Sequence, residues 1–255
     1  MARAVTVEQR AQLSAVQARV GGTVPGGGGG AGGMVAAKDR TLPVHEVLAP
    51  ILPQGVQRGS VVACTGPLAV SLALLAAAGP SRSGCWVGVA GLPALGLGAA
   101  AELGVAVERL VQVAEPAGRT WADGDWAEVL GAMVDGFDVL LLGPGAQRVR
   151  AGTARRVTAR LQARGAIAIC VDAPVFGGDL RLTTTGHRWM GLGDGHGVAR
   201  ARQVEAVLEG RRVPRPRHLP LWLPGRDGGV RPVPAPAPAE QPAEPARPVA
   251  LRRTG

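Results

Sequence analysis

Residues 58–73 read RGSVVACTGPLAVSLA. An apolar run, Val61–Cys64, leads into the small-residue turn Thr65-Gly66-Pro67, and an apolar helical stretch begins at Leu68. A strand, a tight turn and a helix in that order form the frame of a phosphate-binding loop, where backbone N–H groups at the helix start hold an anion. The loop pattern is Gly, four residues, then Gly-Lys-Ser/Thr. Laid on Gly66, its second glycine falls on Ser71, its lysine on Leu72 and its hydroxyl on Ala73. A leucine brings no charge to a phosphate, and an alanine cannot ligate magnesium. Gly66, Pro67, Ser71, Leu72 and Ala73 are therefore read as a degenerate loop, with no cofactor expected. Either the backbone at Gly66 still holds an anion, or the segment is a plain turn; the missing lysine and hydroxyl favour the turn.

A working phosphate loop also needs an acid at the end of a second apolar strand, to hold magnesium. The candidate strand is Val139–Leu142, and the residue after it is Gly143. Asp138 stands at the opposite end of that strand, away from the crevice at the carboxyl ends where ligands bind. Asp172 follows the strand Ala166–Val171 on the correct side. Metal binding, partner contact and loop capping are its possible roles, and capping is the commonest. Two separate losses, of the loop chemistry and of the metal acid, argue against an ATP-hydrolysing enzyme.

Outward from this stretch, strand and helix patterns alternate. Thr41–Leu52 reads as a short helix, and Pro53–Gly59 as a turn. Pro67–Ala78 reads as a buried helix, stopped by Gly79-Pro80. Further strands are expected at Cys85–Ala90, Leu110–Val113, Asp138–Leu142 and Ala166–Val171, with helices at Pro93–Leu103, Thr120–Val134 and Gly152–Ala163. The strands are continuous apolar runs, as in strands buried on both faces. This rhythm predicts an α/β fold: a mostly parallel twisted sheet, helices on both faces, and antiparallel edge strands toward the C-terminus. The edge strands are placed at Asp179–Thr185 and Val198–Leu208, separated by the glycine-rich stretch 186–197.

Composition divides the 255 residues into three parts. Residues 1–38 hold a short helix (6–19) and a glycine-rich linker, with four basic groups and one acid. Residues 39–210 form the core and carry 15 basic and 15 acidic groups, so the body is neutral. Residues 211–255 hold nine arginines and three acids and read as a basic, proline-rich, largely disordered tail. Basic ends suit acidic partners such as nucleic acid, or simply aid solubility. Gln12-Leu13-Ser14 faintly resembles the start of a sliding-clamp-binding peptide, without the aromatic end. Cys64, Cys85 and Cys170 sit in separate apolar runs, so free buried thiols are expected rather than a disulfide framework or metal site. The four histidines are dispersed, without metal spacing. No secretory signal and no membrane span is evident, so a cytoplasmic protein is expected.

Two groups of residues are candidate contacts for DNA or a partner. Arg156, Arg160 and Arg164 fall on one helical face at i, i+4 spacing, suited to phosphates or an acidic surface. Arg211, Arg212, Arg215 and Arg217 open the basic tail, followed by Trp222 in the patch Leu219–Leu223. That patch is either a short docking motif or a last segment packed on the core.

The order of these elements resembles a known family. Residues 52–66, LPQGVQRGSVVACTG, look like the approach to the core of RecA-type proteins: a Leu-Pro, a Gly, a basic-Gly pair, then an apolar strand ending in the loop glycine. Gly66-Pro67 matches the Gly-Pro that opens the RecA loop. Within that superfamily the chain is most similar to the ImuA and shortened ImuA′ group, whose nucleotide motifs are eroded. The resemblance covers about residues 40–210. It implies a non-catalytic accessory role in error-prone translesion synthesis during the SOS response to DNA damage. The implied partners are an inactive Y-family polymerase relative (ImuB-like) and an error-prone C-family polymerase complex, with weak nucleic-acid binding and no membrane. No catalytic residue carries over, since the matching positions are Leu72, Ala73 and Gly143. A divergent RecA-like ATPase or recombinase, and a SulA-like inhibitor of cell division, are the alternatives.

Overall fold

A computed structural model describes residues 40–192 and 197–234. The expected N-terminal helix, the glycine-rich linker and the chain beyond residue 234 lie outside the described residues. The strands are β1 (Thr41–Leu42), β2 (Val56–Gln57), β3 (Val61–Thr65), β4 (Val87–Ala90), β5 (Leu110–Val113), β6 (Val139–Leu142) and β7 (Ile167–Val171), followed by β8 (Leu180–Leu192), β9 (Gly197–Gly210), β10 (Val213–Trp222) and β11 (Arg231–Pro232). The helices are α1 (Ala69–Arg82), α2 (Leu97–Glu102), α3 (Asp123–Gly136) and α4 (Ala151–Arg164).

Nine strands form one sheet, in the order β11-β10-β9-β8-β3-β7-β6-β4-β5. From β8 to β5 all neighbours are parallel; β8, β9, β10 and β11 are joined antiparallel. Strands β4, β6 and β7 are buried at every residue, as their unbroken apolar sequences require. One face of the sheet carries α1, with Leu72, Leu74 and Leu75 packed on Val62, Cys64, Ile169 and Leu208. The other carries α3 and α4, with Trp126, Leu130, Val157 and Leu161 over Leu140, Leu142 and Ala168. On that face Trp121 meets Trp126 edge to face at 4.8 Å.

Four expectations are corrected. Thr41–Leu52 is not a helix: Thr41 and Leu42 pair with Gln57 and Val56, and only Glu46–Leu48 form a helical turn, capped by the His45 ring. Gly79-Pro80 does not stop α1, which continues to Arg82. Pro80 removes only its own helical hydrogen bond two residues before the helix ends, and Gly79 is where α1 crosses the backbone of Val44 too closely for any side chain. The edge strands are longer than expected, because β8 runs through Gly186 to Leu192, with register shifts after Thr185 and Met190. Bulges absorb the extra residues, so glycines do not end the pairing. Finally, the body does not end at Gly210. Residues 213–222 form β10 on β9, burying Leu219 and Leu221, and Leu223 is buried just beyond. Pro214 and Pro216 fall in the exposed stretch between Val213 and Arg217, where the pairing register shifts, and Pro220 is exposed near the sheet margin.

Candidate functional site

The lead-in motif is explained by packing. Gly55 has φ +73°, and a Cβ there would lie 2.1 Å from the Leu42 carbonyl oxygen. Gly59 (φ +77°) lies against Gln162 of α4. Arg58 donates to the Gly165 carbonyl at 3.2 Å and stands 3.9 Å from Asp138. Asp138 accepts the Trp86 N–H at 3.0 Å, so it ties β4 to β6 at the end remote from any crevice.

The turn after β3 is shorter than a phosphate loop. Only Gly66, Pro67 and Leu68 separate β3 from α1. Positions 69 and 70, which belong to the wrapped part of the Gly-x4-Gly-Lys pattern, are already helical. The Ala69 N–H donates back to the Gly66 carbonyl at 3.1 Å, and the Leu72 N–H to that of Leu68 at 2.9 Å. Leu72 and Ala73 are fully buried under the sheet, and Ser71 is half-buried. The side chains at the lysine and hydroxyl positions therefore serve the core.

The crevice on the β6 side is filled as well. The Gly143 N–H bonds the Ala90 carbonyl at 2.8 Å, and the Gly145 N–H bonds that of Gly91 at 3.0 Å. A Cβ on Gly143 would stand 2.4 Å from the Gly91 oxygen and 2.7 Å from the Leu92 Cβ. The loop after β4 thus occupies the space an acidic side chain would need. Asp172 is exposed, with φ +46°. Its N–H bonds the Cys64 carbonyl at 3.1 Å, and its carbonyl accepts from Gln147. Its backbone rather than its carboxylate makes the loop contacts. Among the described residues no cluster of His, Cys, Asp and Glu could hold a metal.

The three thiols are free and buried. Burial pushes Cys64 far up and Cys170 up to about 12, so neither forms a thiolate near neutrality. His45 is held below its usual value, mainly by burial, and its Nδ1 accepts the Val47 N–H at 3.1 Å.

The candidate arginines lie in two separate places, and several are engaged. On α4, Arg160 Nε donates to Asp135 at 3.1 Å, Arg164 lies 3.6 Å from the same carboxylate, and Arg156 bonds Thr153 at 2.9 Å. This helical face braces α4 against α3. On and beside β10, Arg217 donates to the Ile51 carbonyl at 2.8 Å and Arg212 to Gln57, while Arg211 and Arg215 are exposed. Trp222 is half-buried in the sheet, opposite Gln203.

Sequence reading expected both strands but ended the first at Thr185, and so missed the length of the β8–β9 hairpin. Toward the hairpin tip, β8 beyond Thr184 has only β9 as a neighbour, and β9 has only β8 once past Arg202, whose backbone still bonds Leu223 and Pro224. The two strands project as a ribbon carrying Arg188, Trp189, Arg200 and Arg202. Arg202 lies over the Trp189 ring, 4.9 Å from its centre, and its Nε donates to the Leu223 carbonyl at 2.8 Å. Between the ribbon's base and the Gly66 turn is a pocket of about 140 Å³, bounded by Pro67, Leu68, Thr184, Trp189, Arg202 and Val204. The glycines of the stretch 186–197 obscured the continuation of β8 to Leu192.

The MT3502 N-terminal domain model matches residues 50–176, from the lead-in motif to the turn after β7. The uncharacterized protein Rv3395c of Mycobacterium tuberculosis is 30% identical over 135 residues, which is 53% of this chain and 62% of that protein. The chain thus aligns with less than two thirds of that relative's length. The crystal structure of the RadB recombinase superposes with a TM-score of 0.51 at 12% identity, covering 72% of this chain and 96% of that one. With the parallel sheet, the two helical faces and the antiparallel C-terminal strands, this similarity establishes that the core is a RecA-like fold.

Proposed function

We propose that the protein is a RecA-like adapter without ATPase activity, acting in error-prone translesion DNA synthesis. Its partner would be an inactive Y-family polymerase relative, with an error-prone C-family polymerase in the same assembly. The observation that carries the non-catalytic half is the closed site. Leu72 and Ala73 are buried at the lysine and hydroxyl positions, and Gly143 is packed against Gly91 at the acid position. The partner rests on the resemblance of the 52–66 motif and the element order to the ImuA group. The body up to residue 210, with equal numbers of basic and acidic groups, offers surface for a protein partner, and the arginines of 211–231 add weak, salt-sensitive contact with DNA.

The test has two arms. Purified protein should neither bind nor turn over ATP, with or without single-stranded DNA. Turnover that disappears in Gly66→Val or Asp172→Ala would replace the adapter with a divergent ATPase. Affinity capture from DNA-damaged cells should recover a Y-family polymerase relative; recovery of a filament-forming division protein instead would favour the SulA-like alternative.

A further inference from the structure

We propose that the β8–β9 ribbon binds single-stranded nucleic acid, with one base in the pocket beside Pro67 and phosphates on the ribbon's arginines. The ribbon brings two kinds of exposed group together. It exposes large apolar side chains, with Trp189 at 37%, Leu192 at 55% and Val198 at 69%. It also presents Arg200, with Arg226 beside it across a second hollow, neither of them ion-paired to a carboxylate among the described residues, while Arg188 lies on the face opposite Trp189. Arginines left without carboxylates beside an open aromatic suit a chain of phosphates and bases.

The pocket supplies the second half of the argument. Thr184 is only 8% exposed, and its hydroxyl is buried without a hydrogen-bond partner. Such a group is costly unless something satisfies it. The walls give Leu68 and Val204 as apolar surface and Trp189 as a flat ring whose orientation Arg202 fixes from one side. A planar heterocycle fits that set: it stacks on the ring and its polar edge meets the guanidinium, and rotation of the Thr184 side chain brings the closed-off hydroxyl to that edge. An acidic protein segment would pair with the arginines but leave the ring and the hydroxyl unused. The inference extends the proposed role, in which weak DNA contact is expected. It is measured on the chain alone, so a missing partner protein does not register in it.

Binding of the full chain to a fluorescein-labelled oligodeoxythymidine is followed by anisotropy across a salt series. Arg200→Ala with Arg226→Ala should weaken binding about tenfold or more and reduce the log–log salt slope by about 1.4, for two phosphates lost. Trp189→Ala should weaken it about tenfold with the slope unchanged. Thr184→Val, which keeps the shape and removes the hydroxyl, should also weaken it, and Arg155→Ala on α4 should not. Circular dichroism checks that each variant folds. As a measurement on the unaltered protein, an oligonucleotide bearing 5-iodouracil should photo-crosslink to Trp189. Unchanged affinity in all ribbon variants, or crosslinks confined to residues beyond 234, would overturn the proposal. So would ribbon-dependent binding of polyglutamate in place of the oligonucleotide.

Discussion

At the residue scale, the lost motif positions are occupied rather than empty, and this makes restoration costly. Leu72 is fully buried against the sheet, so Leu72→Lys places a charge where no partner or water waits. A loss of about 3 kcal/mol or more is expected, read as a lower denaturant midpoint, with no gain of ATP binding when Ala73→Thr is added. Gly143→Asp fails for a steric reason: its Cβ would stand 2.4 Å from the Gly91 oxygen. It should lower thermal stability sharply in the presence or absence of magnesium. The thiols give a check without mutation. With Cys64 and Cys170 buried and both held protonated by that burial, Ellman's reagent at pH 8 should leave them unmodified until the protein unfolds.

At the element scale, α1 shows why sequence punctuation misled. Gly79-Pro80 reads as a stop, yet the helix runs on, because the glycine answers a neighbour rather than a turn. In an open helix Gly→Ala adds about 1 kcal/mol of stability. Gly79→Ala should instead destabilise, since the new methyl would lie 2.4 Å from the Val44 carbonyl carbon; urea melts of the two proteins decide the sign. The join between α3 and α4 depends on Asp123. Its carboxylate accepts the Arg150 N–H at 2.7 Å and the Thr153 hydroxyl at 3.0 Å. The Arg150 N–H is the main cause holding Asp123 below the ordinary value of 3.8; burial opposes it, and the Thr153 hydroxyl and nearby arginines assist. A carboxylate so lowered adds stability above its unfolded pKa and loses it as pH falls through the folded one. Asp123→Ala should therefore cost about 0.5–1 kcal/mol at pH 7, the group being open to solvent. The cost should vanish in acid below the ordinary aspartate range.

The parallel core was legible because its signal is local: β4, β6 and β7 are continuous apolar runs between helical segments. The far half of β8 and all of β10 were not, because they hold glycine, arginine and proline, and pairing with neighbouring strands fixes them rather than propensity. For the same reason Arg160 and Arg164 looked like a free basic face. Their spacing was visible; Asp135 on the neighbouring helix was not.

At the scale of the whole molecule, the sheet continues past residue 210, and that has a practical result. A chain ending at Gly210 would lose Leu219, Leu221 and Leu223 and leave Val204, Ala206 and Leu208 of β9 beside an open edge. Such a truncation should be insoluble or aggregate on sedimentation, whereas one ending at residue 234 keeps β10 and β11.

The contact between Gly91 and Gly143 also governs what this protein could become. A metal acid at position 143 needs the loop after β4 to move first, and that loop is held by the Gly143 and Gly145 N–H groups themselves. A loop lysine at position 72 needs α1 to unwind by a turn. Neither change helps without the other, and each alone harms the fold. Any path from this sequence back to nucleotide hydrolysis must cross a valley of unstable intermediates, so the contact acts as a ratchet.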